Sequence, residues 1–398
     1  MKSFKQYVQM LTEAKGTPWP RGFNKGYAYE FVMAAAMVAR FTDRYDSGEP
    51  MPLTFTSVMR VMAKFQGGWN VWSVDEGDEK VDIVEFDGEG LPKSVHDRWG
   101  DYQDHPETGK MIKSAIEAVK GNQTLEDLSY EVITNQRADK IVIKCVGTKG
   151  QHKTKSDVDV YVNNKDMRIK GFSVKWENTR SAAQNAGVDT VKNLEKGFKR
   201  FGLTVGVSGV KKAVEEIQKN GRGGGVYSTP SGNSAGLRND ENVKLDKKIM
   251  YPVVRSAFVT AAKKYTTELK NEARKVRTPK LDAIMKGLRE ANVGPEDDVE
   301  VFRGKSITYN EKTFKKFGVY IKDAAKQGQA RWECEMESDG GGFQNPALIL
   351  YANDHKMFQL RFRFGADDVP GTAKKQYKVR WRLVIENGSH LDTLAKMK

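Results

Sequence analysis

The chain has 398 residues, enough for two or three domains that each bury a core of their own. Hydrophobic residues make up 38% of it and charged residues 30%, which excludes disordered and collagen-like chains. Lysine and arginine outnumber aspartate and glutamate by 66 to 52, a net charge of +14 that favours polyanions such as nucleic acid. No apolar run approaches the roughly 18 residues that cross a bilayer.

Cysteine and histidine usage excludes several kinds of site. The two cysteines, Cys145 and Cys334, stand far apart, so their number rules out a disulfide framework and a zinc ribbon. The five histidines show neither HxxxH nor HExxH spacing, which argues against zinc catalysis.

The first half of the chain predicts a mixed α+β fold. Residues 1–15 carry Phe4, Tyr7, Val8 and Leu11 at helical spacing, which predicts an amphipathic leader helix. A buried helix with one acid, Glu30, is expected over 27–40, then an irregular insertion over 44–105 with one strand at 81–86. The elements expected after it are a helix at 108–119, strands at 140–146, 157–162 and 168–175, a helix at 181–201 and a strand at 203–207.

The second half predicts a different organisation. Residues 221–240 are rich in glycine and lack the spacing of a P-loop, so they are interpreted as a loop or linker. A helical section follows over 241–293. Residues 294–398 are predicted to form a β-rich basic domain, with strands at 299–302, 347–351, 357–364 and 377–386. The region 16–220 would then be the first domain.

Charge is unevenly distributed along the chain. Residues 137–222 hold 19 lysines and arginines against 9 acids, whereas 75–89 holds eight acids against Lys80 alone. The acidic run is interpreted either as a solvated loop or as a segment that mimics DNA or guards the basic region. The basic region coincides with the motif that carries the chemistry.

Acidic and basic side chains meet in two consecutive predicted strands. On the strand 157–162 the side chains of Asp157, Asp159 and Tyr161 share one face, because successive residues alternate. A hairpin at 163–166 would bring Ser173 and Lys175 beside these carboxylates. Carboxylate oxygens suit Mg²⁺, and an ammonium group beside them suits phosphodiester chemistry.

These segments resemble the PD-(D/E)XK nuclease superfamily, in the form found in many tailed-phage proteins. Asp157 matches the first acid of that family, and Ser173-Val174-Lys175 matches its second motif, with serine where aspartate or glutamate is usual. The polar helix of the family would contain Gln184. The acid of its first helix would fall on Glu30, with Glu117 as a rival.

The resemblance implies a restriction-endonuclease-like mixed sheet flanked by helices and hydrolysis of DNA with Mg²⁺ or Mn²⁺, as an endonuclease rather than an exonuclease. Asp157 would be the principal metal ligand, and Asp159 and Glu30 further ligands. Ser173 would be a weak or indirect ligand, Lys175 an electrostatic group, and Gln184 would position the DNA backbone or water.

Other interpretations stay open at this stage. The two aspartates could be solvated residues paired with Lys175, in a non-catalytic DNA-binding head protein whose nuclease site is vestigial. The D-x-D pattern also resembles nucleotidyltransferases, but Gly150-Gln151 and Glu177 do not supply the glycine–serine pair and third acid that such enzymes need.

DNA contacts are predicted at two places. Near the motif they are Lys153, Lys155 and Arg180, and in the terminal strands they are Arg361, Arg363, Lys378, Arg380 and Arg382. Basic rows on strands suit a phosphate backbone without reading its sequence. A plain solvated basic face is the alternative for the terminal strands.

The leader resembles the capsid-targeting peptides of internal head proteins in large myovirus-type phages. Leu11-Thr12-Glu13, followed by Ala14, fits the prohead-protease site of that group. The resemblance implies contact with the capsid scaffold and the prohead protease, and a location in the virion interior or in the bacterial host cytoplasm. An ordinary terminal helix is the alternative.

Overall fold

The protein is α+β, as the sequence predicts, and divides into two compact units. The first covers Met1–Thr179 and Val293–Asn310, and the second covers Arg180–Asn292 and Glu311–Lys398. The structure is a computed structural model that describes residues 19–20, 24–42, 52–76, 79–92, 95, 97–134, 140–146, 156–162, 167–176, 181–186, 189–219, 226–228, 240–275, 277–294, 299–303, 307–338, 344–368 and 376–397.

Helices and strands alternate along the described part of the chain. The helices are α1 (Lys25–Thr42), α2 (Phe55–Gln66), α3 (Trp99–Tyr102), α4 (Pro106–Lys120), α5 (Gln123–Thr134), α6 (Thr190–Lys199), α7 (Ser208–Lys219), α8 (Glu241–Ala273), α9 (Pro279–Val293), α10 (Glu311–Lys326) and α11 (Ser389–Lys396). The strands are β1 (Val71–Glu76), β2 (Glu79–Asp87), β3 (Ile141–Cys145), β4 (Val158–Val162), β5 (Met167–Lys175), β6 (Ser181–Ala186), β7 (Val226–Ser228), β8 (Val299–Arg303), β9 (Ile307–Tyr309), β10 (Ala330–Ser338), β11 (Gln344–Ala352), β12 (His355–Asp368) and β13 (Gln376–Asn387).

The sheet of the first unit is mixed, in the order β1-β2-β3-β4-β5-β8-β9. β2 and β3 are parallel, as are β5 and β8, and the other neighbours are antiparallel. These directions bring the start of β1, the ends of β2 and β3, the start of β4 and the ends of β5 and β8 to one edge. We call it the upper edge, and it is marked by Val71, Asp87, Cys145, Val158, Lys175 and Arg303.

The core of this unit lies between α1 and one face of the sheet. Every residue from Ala28 to Ala39 is fully buried except Glu30, which is 6% exposed. Alternating apolar residues of the strands pack in the same cluster as α1, namely Val84, Phe86, Ile141, Ile143, Cys145, Val158, Val160, Val162, Phe172, Val174 and Phe302. This explains why α1 is apolar on nearly every side.

The second unit contains an antiparallel sheet in the order β10-β11-β12-β13-β6, with β7 also paired to β13. One face of it is apolar and packs on α8 and on the end of α6. Trp332 and Phe358 make an edge contact with ring centroids 5.4 Å apart, and Phe358 stacks on Phe201 at 5.1 Å.

Two predicted elements in this unit are wrong. The predicted helix 181–201 begins as β6, and its helical part is only α6, because Ser181–Ala186 pairs with β13, which the local sequence does not reveal. The predicted strand 203–207 is an irregular segment. The backbone N–H and C=O of Thr204 bond to the Tyr265 hydroxyl instead of to a neighbouring strand.

The predicted domain boundaries also differ from the two units. The insertion 44–105 is not irregular, since it contains α2 and β1. β8, predicted to open the terminal β-rich domain, pairs instead with β5, and β9 pairs with β8, so both complete the first sheet. The helices of the predicted section 241–293 belong to the second unit, and most of 221–240 lies outside the described residues.

Close approach of β4 and β5 requires a glycine at 171. A Cβ there would lie 2.9 Å from Ser156 Cβ, 3.0 Å from Asp159 Oδ1 and 3.1 Å from Val299 Cγ2. We therefore expect Gly171→Ala to lower the free energy of unfolding by about 1–3 kcal/mol in urea titrations, because all three neighbours are packed.

Gly100→Ala is the matched control, because nothing lies within 4 Å of the Cβ it would add. Because Gly100 lies in α3, where alanine is favoured over glycine, its free energy of unfolding should stay unchanged or rise by up to about 1 kcal/mol. Equal stability of the two variants would contradict the packing described at Gly171.

Candidate functional site

The site is built around the carboxylate of Asp157, which lies directly before β4 at the upper edge and is 1% exposed. Three donors converge on its Oδ2 atom. They are the backbone N–H of Val174 at 2.7 Å, the Nζ of Lys175 at 3.0 Å and the Oγ of Ser173 at 3.2 Å. Donors of this kind offset the cost of burying a charge.

The pairing of β4 with β5 produces this geometry. Val158 is opposite Phe172, and the N–H of Asp157 donates to the carbonyl of Phe172 at 2.8 Å. The apolar residues of both strands face the core beside α1, which fixes the register. The sequence-predicted residues Asp157, Ser173 and Lys175 are thereby brought together.

Lys175 is the half-buried member of the pair. Its side chain is 31% exposed, while the Asp157 side chain is 1% exposed. The ammonium group is therefore held by a buried carboxylate and is also reachable from solvent. An anionic ligand can approach Lys175 without breaking the contacts that position Asp157.

Glu30 of α1 lies in the same electrostatic neighbourhood. Burial, and to a lesser extent the Asp157 charge, raise the pKa of its carboxyl to about 8, while Lys175 acts in the opposite direction. At neutral pH the Glu30 carboxyl is therefore mostly protonated, because burial disfavours its charged form and the Asp157 carboxylate adds to that effect. Its rival, Glu117, is exposed on α4.

Two residues that the sequence argument did not select belong to this neighbourhood. Burial raises the pKa of the Cys145 thiol, with added effects of Glu30, Asp87 and Asp157. Burial also raises the pKa of Tyr27, again with Glu30 and Asp157 contributing. Cys145 could have been found as the last residue of a predicted strand, and Tyr27 as the residue one helical turn before Glu30.

Asp159 has different partners. Its carboxylate accepts from Ser156 Oγ at 2.5 Å and from the Tyr161 hydroxyl at 3.3 Å, and Arg168 Nη1 lies 3.4 Å away. Among the described residues no group of three or more His, Cys, Asp or Glu side chains could hold a metal ion. The predicted ligands Glu30, Asp157 and Asp159 therefore do not form a three-acid centre.

Gln184 is not on a helix, contrary to the prediction. It lies in β6, opposite Val384 of β13, and its side chain is outside the described residues. The side chains of Lys378 and Arg380 in β13 also lie outside the described residues. Five further predicted residues lie wholly outside the described ranges: Leu11, Glu13, Lys153, Lys155 and Arg180.

The predicted basic row on β12 and β13 is partly neutralised. Arg361 lies 2.5 Å from Glu386 and 3.7 Å from Glu337, and Gln359 donates to Glu337 at 2.8 Å. Arg363 is opposite Arg382 in the register. Around Arg361 this face of the second sheet therefore carries charges of both signs. Glu337 and Glu386, which lie on other strands of the sheet, pair with the arginine.

Comparisons with protein families, with curated proteins and with solved structures found no match to this chain. In the part of the chain that the structure describes, no helix combines the length and the apolar character needed to cross a membrane. The chemistry available to the site is set by the side chains and distances given above.

The raised pKa of Glu30 has a consequence for stability. Between about 4.5 and about 8 the folded state binds more protons at Glu30 than the unfolded state. The free energy of unfolding should therefore fall as pH rises through this range, in the absence of divalent cations. Glutamine does not titrate, so Glu30→Gln should not show this fall. The free energy of unfolding of the variant should therefore rise relative to that of the wild type from pH 5 to pH 9.

Chemical denaturation at several pH values measures the effect. Glu117→Gln is the control, since it removes an exposed helix acid of the same unit. Its stability should follow the wild-type pH dependence. Parallel curves for Glu30→Gln and the wild type would show that Glu30 titrates as an ordinary carboxylic acid.

Proposed function

We propose that this protein is a metal-dependent nuclease that hydrolyses phosphodiester bonds of DNA, with a restriction-endonuclease-like centre at the upper edge of its first sheet. The observation that carries the proposal is the buried Asp157 carboxylate held 3.0 Å from the Lys175 ammonium at the junction of β4 and β5. The mixed sheet, with α1 packed on one face, supports the same assignment.

The residues present fit Mg²⁺ or Mn²⁺. Magnesium sites commonly use one or two carboxylates, with water and substrate phosphate completing the shell, and Asp157 and Glu30 would supply two. When bound, the cation would activate water and neutralise charge on the phosphate. Glu30 would have to release its proton first, so the site would load better at higher pH.

The chain's own residues have distinct roles in this proposal. The Val174 N–H and the Ser173 hydroxyl hold Asp157 in one orientation, so Ser173 positions the acid and need not replace the missing carboxylate of the second motif. Lys175, reachable from solvent, would stabilise the negative charge that develops on the phosphate. Preorganised charges of this kind cost little reorganisation during the reaction.

A specific observation favours a second candidate, a DNA-binding protein without catalysis. The described residues contain no three-acid metal group, and Asp159 is engaged by Ser156, Tyr161 and Arg168. The net charge of +14 serves DNA binding equally well in both cases. Cleavage, and not binding, therefore separates the two functions.

Plasmid nicking with Mg²⁺ tests the proposal. The wild type should nick supercoiled DNA and lose this activity with EDTA. Asp157→Asn and Lys175→Met should each lower the rate by roughly 100- to 1,000-fold, because each removes a preorganised charge at the phosphate. Wild-type protein that binds DNA but nicks none of it would establish the second candidate.

Asp323→Asn is the matched control, since it breaks an exposed ion pair, 3.7 Å from Lys326, in the second unit. It should leave the rate of nicking unchanged. Thermal unfolding of all three variants distinguishes loss of activity from loss of fold.

The leader adds a proposal about location. If residues 1–15 target a phage capsid, the prohead protease would cut after Glu13 and the protein would enter the virion with the DNA. Mass spectrometry of mature particles should then detect a new amino terminus at Ala14. An intact Met1 in those particles would exclude processing at this position.

A further inference from the structure

Trp69 is an unusually exposed tryptophan. Its side chain is 55% exposed, while five of the other six tryptophans are no more than 9% exposed and Trp19 is half-buried. It lies in the turn that joins α2 to β1. A large aromatic ring that contributes nothing to the core is available for a ligand.

One face of the Trp69 ring is already occupied by a cation. The Nζ of Lys64 lies over it, 5.1 Å from the ring centroid. The backbone N–H of Trp69 donates to the backbone carbonyl of Lys64 at 3.0 Å. The Lys64 contact orients the ring, and 55% of the residue stays exposed to solvent. The segment 55–70 contains Arg60 and Lys64 and no acid, so its charge suits a polyanion.

The strand directions place Trp69 on the same edge as the candidate centre. Asn70 accepts from the Phe86 N–H at 2.7 Å near the end of β2, Asp87 is opposite Lys144, and Cys145 is opposite Val158. Three strand spacings of about 4.8 Å separate β1 from β4, so the start of β1, two residues after Trp69, lies roughly 14 Å from the start of β4 along the edge. A few nucleotides of extended chain span such a distance.

Two acids near the end of β2 are paired, while Glu89, which follows that strand, is exposed. Glu85 lies 3.0 Å from Lys140, and Asp87 lies 3.2 Å from Lys144. Their negative charges are compensated within the sheet. A phosphate backbone that runs along the upper edge from Trp69 toward Lys175 would therefore meet little repulsion from them.

We propose that Trp69 and Lys64 form a stacking site for an unpaired base of single-stranded DNA whose backbone follows the upper edge to Asp157 and Lys175. The inference rests on the proposed function, because it specifies that the DNA bound at this edge is single-stranded. Bases inside a duplex are already stacked and cannot cover the ring. Stacking on an aromatic side chain tolerates any base, so no sequence preference is implied.

The other possible occupant is an apolar protein partner. Protein docking sites usually present a contiguous apolar patch. Trp69 instead stands among the exposed residues Lys64, Gln66 and Asn70 and two glycines. An isolated aromatic ring paired with a cation matches the chemistry of a nucleobase and its phosphate better than that of an apolar surface.

Tryptophan fluorescence in EDTA tests the stacking site apart from cleavage. A short oligothymidylate should quench the emission of the wild type, and Trp69→Phe should lose that quenching but retain binding. Trp69→Ala should bind the oligonucleotide roughly 5- to 100-fold more weakly. Tyr130→Ala, which removes another exposed aromatic ring of the first unit, should bind like the wild type.

A closed dumbbell duplex provides the comparison of DNA forms. Quenching by the dumbbell as strong as that by oligothymidylate, or no change in affinity for Trp69→Ala, would overturn the inference. Asp157→Asn separates it from the proposed function, because this variant should keep the quenching and lose the nicking. Wild type that nicks DNA without any Trp69 quenching would retain the nuclease and eliminate the stacking site.

Discussion

The ion pair between Asp157 and Lys175 is the interaction on which the candidate site depends. A carboxylate that is almost completely removed from water is tolerated only because three donors reach the same oxygen. Removing one partner of such a pair typically costs about 3–5 kcal/mol. The pair joins the ends of β4 and β5 in the register that their apolar residues fix, and a one-residue slip of either strand would turn its charged side chain toward the apolar core.

Glu30 adds a second carboxyl group to the electrostatic neighbourhood of this pair. Two carboxyl groups share a buried volume with one ammonium, so the second acid keeps its proton in the metal-free protein. A divalent ion would remove the conflict by attracting both carboxylates. Asp159, although only two residues from Asp157, is satisfied by its own set of donors and takes no part in this balance.

Charge has different roles in the two units. At the upper edge of the first sheet the acids Glu85 and Asp87 are paired, while Lys64 and Lys175 are accessible. On the polar face of the second sheet, Arg361 of β12 is bound by Glu386 of the neighbouring β13 and by Glu337 of β10, two strands away. The positive excess of the chain is therefore not a single uniform surface, and the paired arginine contributes more to the structure of the sheet than to attraction of polyanions.

Local sequence patterns were sufficient to predict the elements around the site. Alternation of valine with acidic residues predicted β4, the all-apolar stretch predicted α1 with Glu30 inside it, and spacing placed Ser173 and Lys175 on one face. These patterns involve residues that lie close together in the sequence, so they can be recognised without the tertiary structure. Long-range contacts were needed to establish that Ser181–Ala186 pairs with β13, that β8 joins the first sheet, that Arg361 meets glutamates, and that Trp69 shares an edge with Asp157. Each of those outcomes depends on contacts between segments that lie far apart in the sequence. A pattern among near neighbours does not indicate the energy of such contacts.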